Sequence, residues 1–163
     1  MGNRRCHILV AEDDDNDALL LVQAFRRSGL GHSVSRVANG KQAVDYLAGT
    51  AAFSDRAVCP LPDLLLLDLK MPQMGGFEVL AWLRTRPDLQ LLPVVVLSSS
   101  ALPDDMAKAR ELGARDYQIK PFEFSELVRL VENLHHRYLG AGPEFAAPTP
   151  DPLAVPDFEL KSA

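Results

Sequence analysis

Residues 62–72 read Pro62-Asp63-Leu64-Leu65-Leu66-Leu67-Asp68-Leu69-Lys70-Met71-Pro72. A run of four leucines, bounded by prolines and closed by an aspartate, suits a short strand buried on both faces. Such a strand belongs to a parallel sheet with helices covering each side. In open α/β sheets, ligands bind outside the carboxyl ends of the strands. Asp68 therefore stands where a sheet of this kind does its chemistry. Taken alone, an aspartate there reads more readily as a cap on the next turn or helix, and the rest of the chain reverses that preference.

The same alternation of elements recurs along the chain. A first buried strand, His7–Ala11, ends on Glu12-Asp13-Asp14-Asp15-Asn16-Asp17. The pattern then predicts a helix over 16–27, an alternating and more polar edge strand over 33–38, and a helix over 41–48. After the leucine strand come a helix over 77–86, a buried strand over 93–98, a helix from Pro103 to Gly113, a strand over 115–119 and a helix over 124–138. Strand and helix repeated five times predict an α/β fold with a doubly wound, five-stranded parallel sheet and right-handed crossovers. The connection 49–62, holding Pro60 and Pro62, is longer than the usual strand–helix link of about 2–6 residues, and its role is not legible in the residues. The domain is expected to span 1–139. Residues 140–163 carry Pro143, Pro148, Pro150, Pro152 and Pro156 with an excess of acids, and read as a flexible tail.

Composition narrows the function classes. The chain has 163 residues, enough for one domain, and a net charge of −5, which disfavours nonspecific nucleic-acid binding. Cys6 and Cys59 show neither metal-ligand spacing nor a disulfide framework, so two reduced thiols in a cytoplasmic protein are expected. No apolar run approaches the roughly 18–20 residues of a membrane span, and the N-terminus does not read as a signal peptide.

Four strand ends deliver polar groups to one edge of the sheet: Glu12 and Asp13, then Asp68, then Ser98, then Lys120. Crowded carboxylates repel and raise one another's pKa. A hard divalent cation relieves that repulsion, and Mg2+ commonly takes one or two carboxylates together with phosphate oxygens. Lys120 and the Ser98 hydroxyl can hold an incoming anionic group. A carboxylate nucleophile in this company is equipment for an aspartyl phosphate. The further acids Asp14, Asp15 and Asp17 fit the start of a helix, where free N–H groups attract negative charge.

These pieces, with Gly75-Gly76 and Lys120-Pro121-Phe122, resemble the receiver domain of two-component response regulators, a (βα)5 flavodoxin-like fold. The resemblance covers about residues 6–138. The long 49–62 connection and the run Val94-Val95-Val96-Leu97-Ser98-Ser99-Ser100 are similar to single-domain regulators that partner bacterial phytochrome kinases. The resemblance implies that Asp68 is the phosphoacceptor. It implies a Mg2+ site made by Asp13, Asp68 and the backbone carbonyl of Lys70, with Glu12 acting through water. It makes Lys120 and Ser98 phosphoryl-binding groups and Tyr117 an aromatic switch that turns inward on activation. The Lys120–Pro121 bond is expected to be cis. The implied partners are a sensor histidine kinase, possible second copies of the chain, and a downstream phosphotransfer or target protein; nucleic acid and membrane are not expected. The expected readout is the surface of the fourth helix, fifth strand and last helix. A haloacid-dehalogenase-type phosphatase also uses a strand-end aspartate, but wants a second acid two residues later, where this chain has Lys70. A receiver-like binding module that works without phosphorylation is the remaining alternative.

Overall fold

The structure, a computed structural model, describes residues 4–140. The expected tail lies outside the described residues except for Gly140. The elements are β1 (His7–Ala11), α1 (Asp15–Ser28), β2 (Ser33–Val37), α2 (Gly40–Ala48), β3 (Leu64–Leu67), α3 (Gly76–Leu83), β4 (Val94–Ser98), α4 (Pro103–Glu111), β5 (Asp116–Ile119) and α5 (Phe124–Leu134). The strands form one parallel sheet in the order β2-β1-β3-β4-β5, with β2 at an edge as its polar alternation predicts.

The leucine strand explains how the sheet is covered. Successive side chains on a strand point to opposite faces. Leu65 and Leu67 therefore join one apolar layer with Tyr46, Val79, Leu80 and Val96. Leu64 and Leu66 join the other with Phe25, Leu97, Leu127 and Val131. All four leucines are fully buried. Each contributes about 1.5–3 kcal/mol on burial, so this short strand matters on the scale of a domain's whole net stability.

Local signals set the helix ends. Asp14 caps α1 by accepting from the Asp17 amide, and Gly29 closes it in the left-handed region at φ 69°. Asn39 caps α2 by accepting from the Gln42 amide. Two helices stop three or more residues short of the sequence reading. Helix α3 stops at Leu83, because the amides of Thr85 and Arg86 bond to the carbonyls of Trp82 and Leu83 in tighter turns ahead of Pro87. The last helix is α-helical only to Leu134 and continues as a wider π turn over His135–Leu139.

The 49–62 connection is anchored through polar side chains. Its Arg56 guanidinium donates to the carbonyls of Tyr46 (2.8 Å), Leu47 (2.9 Å) and Cys59 (3.2 Å), satisfying carbonyls left open at the end of α2. The Tyr46 hydroxyl donates to the Pro60 carbonyl at 3.0 Å and lies 2.9 Å from His7 Nε2. Among the described residues no helix is long and apolar enough to cross a membrane.

A second polar chain ties the last helix to the sheet. The Cys6 amide donates to His32 Nδ1 at 3.1 Å, so a neutral His32 carries its proton on Nε2 and donates to His135 Nδ1 at 2.9 Å. Burial pushes both imidazoles below their ordinary value of 6.5, helped for His32 by His135 and for His135 by His136, while Asp63 partly opposes this at His32. The unfolded chain thus takes up these protons first as pH falls. The stability contributed by the pair is present above pH 6.5 and is lost as pH falls through the lowered folded values. His135→Asn keeps an acceptor near Nδ1 but cannot take up a proton. The expected outcome is that its melting temperature falls less than wild type's, by a few degrees, between about pH 7.5 and 5.5, followed by circular dichroism.

Candidate functional site at the carboxyl edge of the sheet

The strand order reverses between β1 and β3, and a crevice at such a switch point is where open α/β sheets bind ligands. Ala11 and Leu67 are in register, and the Asp68 amide donates to the Ala11 carbonyl at 3.0 Å. The residues that follow, Glu12 and Asp68, therefore emerge side by side. Both are buried, at 2% and 7% exposure, while Asp13 points to solvent. Carboxylate oxygens of Glu12, Asp13 and Asp68 lie within 4.8 Å of one another. That cluster of hard oxygen donors fits a divalent cation.

Lys120 enters from β5. Its amide donates to the Ser98 carbonyl at 2.9 Å, which docks the end of β5 on the end of β4. Its ammonium lies 2.6 Å from Glu12 Oε2, 3.0 Å from Asp17 Oδ2 and 3.4 Å from Asp68 Oδ2. Its side chain is largely enclosed. Ser98 is buried, and its Oγ accepts from the Ser100 amide at 3.2 Å. Tyr117 is fully buried, and its hydroxyl donates to the Ser100 carbonyl at 2.8 Å, so the ring is turned inward in this structure. Lys70 is exposed two residues beyond Asp68.

The Lys120–Pro121 bond differs from the expectation of a cis peptide: no peptide among the described residues is cis. Trans remains the favoured form even before proline, by about 0.5–1 kcal/mol. The Lys120 ammonium already reaches the carboxylates from a trans link, so these contacts do not demand the less favoured form.

Backbone packing fixes the turn after β3. The Gly76 amide donates to the Leu69 carbonyl at 2.9 Å. A Cβ on Gly76 would collide with the Asp68 carbonyl oxygen. Only glycine lets the start of α3 lie against the peptide that carries Asp68. The Leu69 amide also donates to Asp68 Oδ1 at 2.8 Å, which orients the carboxylate.

Electrostatics follow from this enclosure. Burial, with the neighbouring Asp68 charge, pushes Glu12 up to about 7 even though Lys120 works against it. Burial also raises Asp68, while the Lys120 charge and the Leu69 amide hold it back. For Lys120, burial favours the neutral amine, but the hydrogen bonds to Glu12 and Asp17 and the Asp68 charge prevail and raise its pKa. The lysine stays charged, and its nearest acid is poised near neutrality.

Two residues belong to the site that the sequence reading did not include. Asp17, assigned to the helix start, also faces inward to Lys120; its place in the first turn of α1, shortly after Asp13, was the available signal. Arg36 of β2 donates from Nε to the Glu12 carbonyl (2.8 Å), from Nη2 to the Asp13 carbonyl (3.1 Å) and from Nη1 to Asp15 Oδ1 (2.8 Å). It holds the loop that carries the acidic pair. Nothing in the sequence pairs it with that loop before the β1–β2 register is known.

Comparison with known proteins places this geometry. The profile of the response regulator receiver domain matches residues 8–132. Response regulator Rcp1 of Synechocystis sp. is 32% identical over 132 residues, covering 81% of this chain and 88% of its own. The Mn(2+)-bound crystal form of Rcp1 superposes with a TM-score of 0.73 at 31% identity, covering 82% and 94% of the two chains. The phosphorylated cyanobacterial phytochrome response regulator RcpA gives a TM-score of 0.76 at 33% identity, with 83% and 95% coverage. Response regulator RPA3017, in red light signaling of R. palustris, gives 0.78 at 34%, with 82% and 94% coverage.

The geometry makes Lys120 the counter-charge of the buried acids. Lys120→Ala is expected to cost about 1–3 kcal/mol in chemical denaturation, below the roughly 3–5 kcal/mol of a fully buried broken pair, because Glu12 can take up a proton. Added Mn2+ should restore more stability to the variant than it adds to wild type, since it then supplies the missing positive charge.

Proposed function

The chain belongs to the response regulator receiver family, and from that footing we propose that it takes a phosphoryl group from the phosphohistidine of a sensor histidine kinase onto Asp68 in a Mg2+-dependent reaction. The observation that carries this reading is the cluster of Glu12, Asp13 and Asp68 within 4.8 Å, faced by a Lys120 ammonium 3.4 Å from Asp68.

Asp68 acts as the nucleophile. One of its carboxylate oxygens attacks phosphorus in line with the departing imidazole nitrogen. The O–P bond forms as the N–P bond breaks, and the electron pair of that bond stays on the imidazole. The Leu69 amide, bonded to Oδ1, leaves Oδ2 on the Lys120 side for the attack. Lys120 turns donors from Glu12 and Asp68 to the phosphoryl oxygens, where negative charge gathers. Mg2+ would be held by Asp13, Asp68 and the backbone carbonyl of Lys70, with Glu12 through water, and when bound it neutralises charge on those oxygens. The hydroxyl of Ser98 would donate to the phosphoryl group. In this reading Ser98 is drawn toward the phosphoryl group on activation, and Tyr117, whose hydroxyl donates to the Ser100 carbonyl, couples the β4–α4 loop to that change.

The partners follow from this reading. RcpA is a phytochrome response regulator and RPA3017 works in red light signaling, which supports a kinase of the bacterial phytochrome class. The surface of α4, β5 and α5 adjoins the switch residues and is the proposed docking face for a second copy or for a downstream phosphotransfer or target protein.

Incubation with acetyl phosphate and intact-protein mass measurement tests the proposal. A single added phosphoryl group is expected, requiring Mg2+ and absent in Asp68→Asn. No adduct under conditions that label a known receiver would instead support a binding module independent of phosphorylation.

A further inference from the structure

Lys120 has three N–H donors and three carboxylate neighbours. Glu12 and Asp68 belong to the cluster of oxygens that can hold a cation; Asp17 does not. Asp17 stands on the first turn of α1, on the outer side of the ammonium, with its side chain less than half exposed. The contacts are graded: Lys120 lies closest to Glu12 (2.6 Å), next to Asp17 (3.0 Å) and farthest from the reacting carboxylate of Asp68 (3.4 Å). An ammonium held by Glu12 and Asp17 leaves Asp68 the least tightly paired of the three acids.

We propose that Asp17 is a positioning residue for phosphoryl uptake, which holds the Lys120 ammonium back from Asp68 and aims it at the incoming phosphoryl group. The proposal rests on the phosphoacceptor reading of Asp68 and deepens it. Asp17 touches neither phosphorus nor metal; it acts through Lys120. When Glu12 and Asp68 turn to a cation, and Asp68 then to phosphorus, Asp17 is the acid that keeps its bond to Lys120. Without it, Lys120 settles on Glu12 and Asp68. The nucleophile is then pinned, and the acids that a cation needs are occupied. Asp15 is the control, because it carries the same charge on the same helical turn but pairs with Arg36 and is 91% exposed.

The test compares wild type, Asp17→Asn and Asp15→Asn for their rates of labelling by acetyl phosphate at saturating Mg2+, read by intact mass. It adds Mg2+ affinity by calorimetry for Asp17→Asn in both the wild-type and the Lys120→Ala backgrounds. Asp17→Asn is expected to label about three- to fivefold more slowly, the upper end of the scale of an exposed ion pair, while Asp15→Asn stays within about twofold. Asp17→Asn should weaken Mg2+ binding when Lys120 is present and leave it nearly unchanged when Lys120 is absent, since coupling through one side chain vanishes with that side chain. Equal slowing in the Asp17 and Asp15 variants, or an equal loss of Mg2+ affinity with and without Lys120, reduces Asp17 to a background charge and overturns the inference alone. A wild type that takes no label overturns the phosphoacceptor reading and the inference together.

Discussion

Glu12 and Asp68 are two carboxyl groups buried at the ends of adjacent strands, and the Lys120 ammonium lies within 3.4 Å of both. Carboxylates removed from water require a compensating positive charge or must take up protons. Here both responses are visible. Lys120 is held charged by its acids, and Glu12 is pushed up to about 7 by burial and by Asp68. The two acids therefore compete for one counter-charge. A divalent cation or an anionic group with its own cation changes which pairs are made, and a switch can be built on that exchange.

The sheet sets up this tension by simple geometry. Parallel strands β1 and β3 run in register, so their last residues end at the same height. The chain crosses from one side of β1 to the other between β2 and β3, which opens the crevice into which those residues point. The apolar layers on both faces, anchored by Leu64–Leu67, back the edge at which Glu12 and Asp68 are buried. Small residues then let backbone approach. Gly76 admits the start of α3 to the Asp68 peptide, and the Leu69 amide aims the carboxylate. Arg36 does similar work across the crevice by holding the carbonyls of Glu12 and Asp13.

The parts of the site that were legible in the sequence share one property: each lies at the end of a stretch that reads as a strand. Glu12, Asp13, Asp68, Ser98 and Lys120 each close or follow such a stretch, and strand ends on one sheet edge must meet. The parts that were not legible lie elsewhere. Asp17 sits on a helix, where an acid at the first turn already has a sufficient explanation in the free N–H groups. Arg36 lies on an edge strand whose partner residues depend on register. The 49–62 connection has no periodicity, and its anchoring by Arg56 and Tyr46 depends on groups that only the folded chain brings together. The Lys120–Pro121 bond was expected cis from family resemblance alone, and the structure has it trans.

Short-range chemistry was thus written in the chain. Hydrophobic runs of strand length, helical spacing between them, and caps such as Asp14, Asn39 and Gly29 specify five strand–helix units and the edge that carries the acids, because periodicity and backbone preference are local quantities. Tertiary structure decided how charge is shared at that edge. Whether Lys120 belongs to Glu12, Asp17 or Asp68 depends on distances of a few tenths of an ångström between α1, β3 and β5. Those distances come from packing across the whole sheet, and no local pattern encodes them.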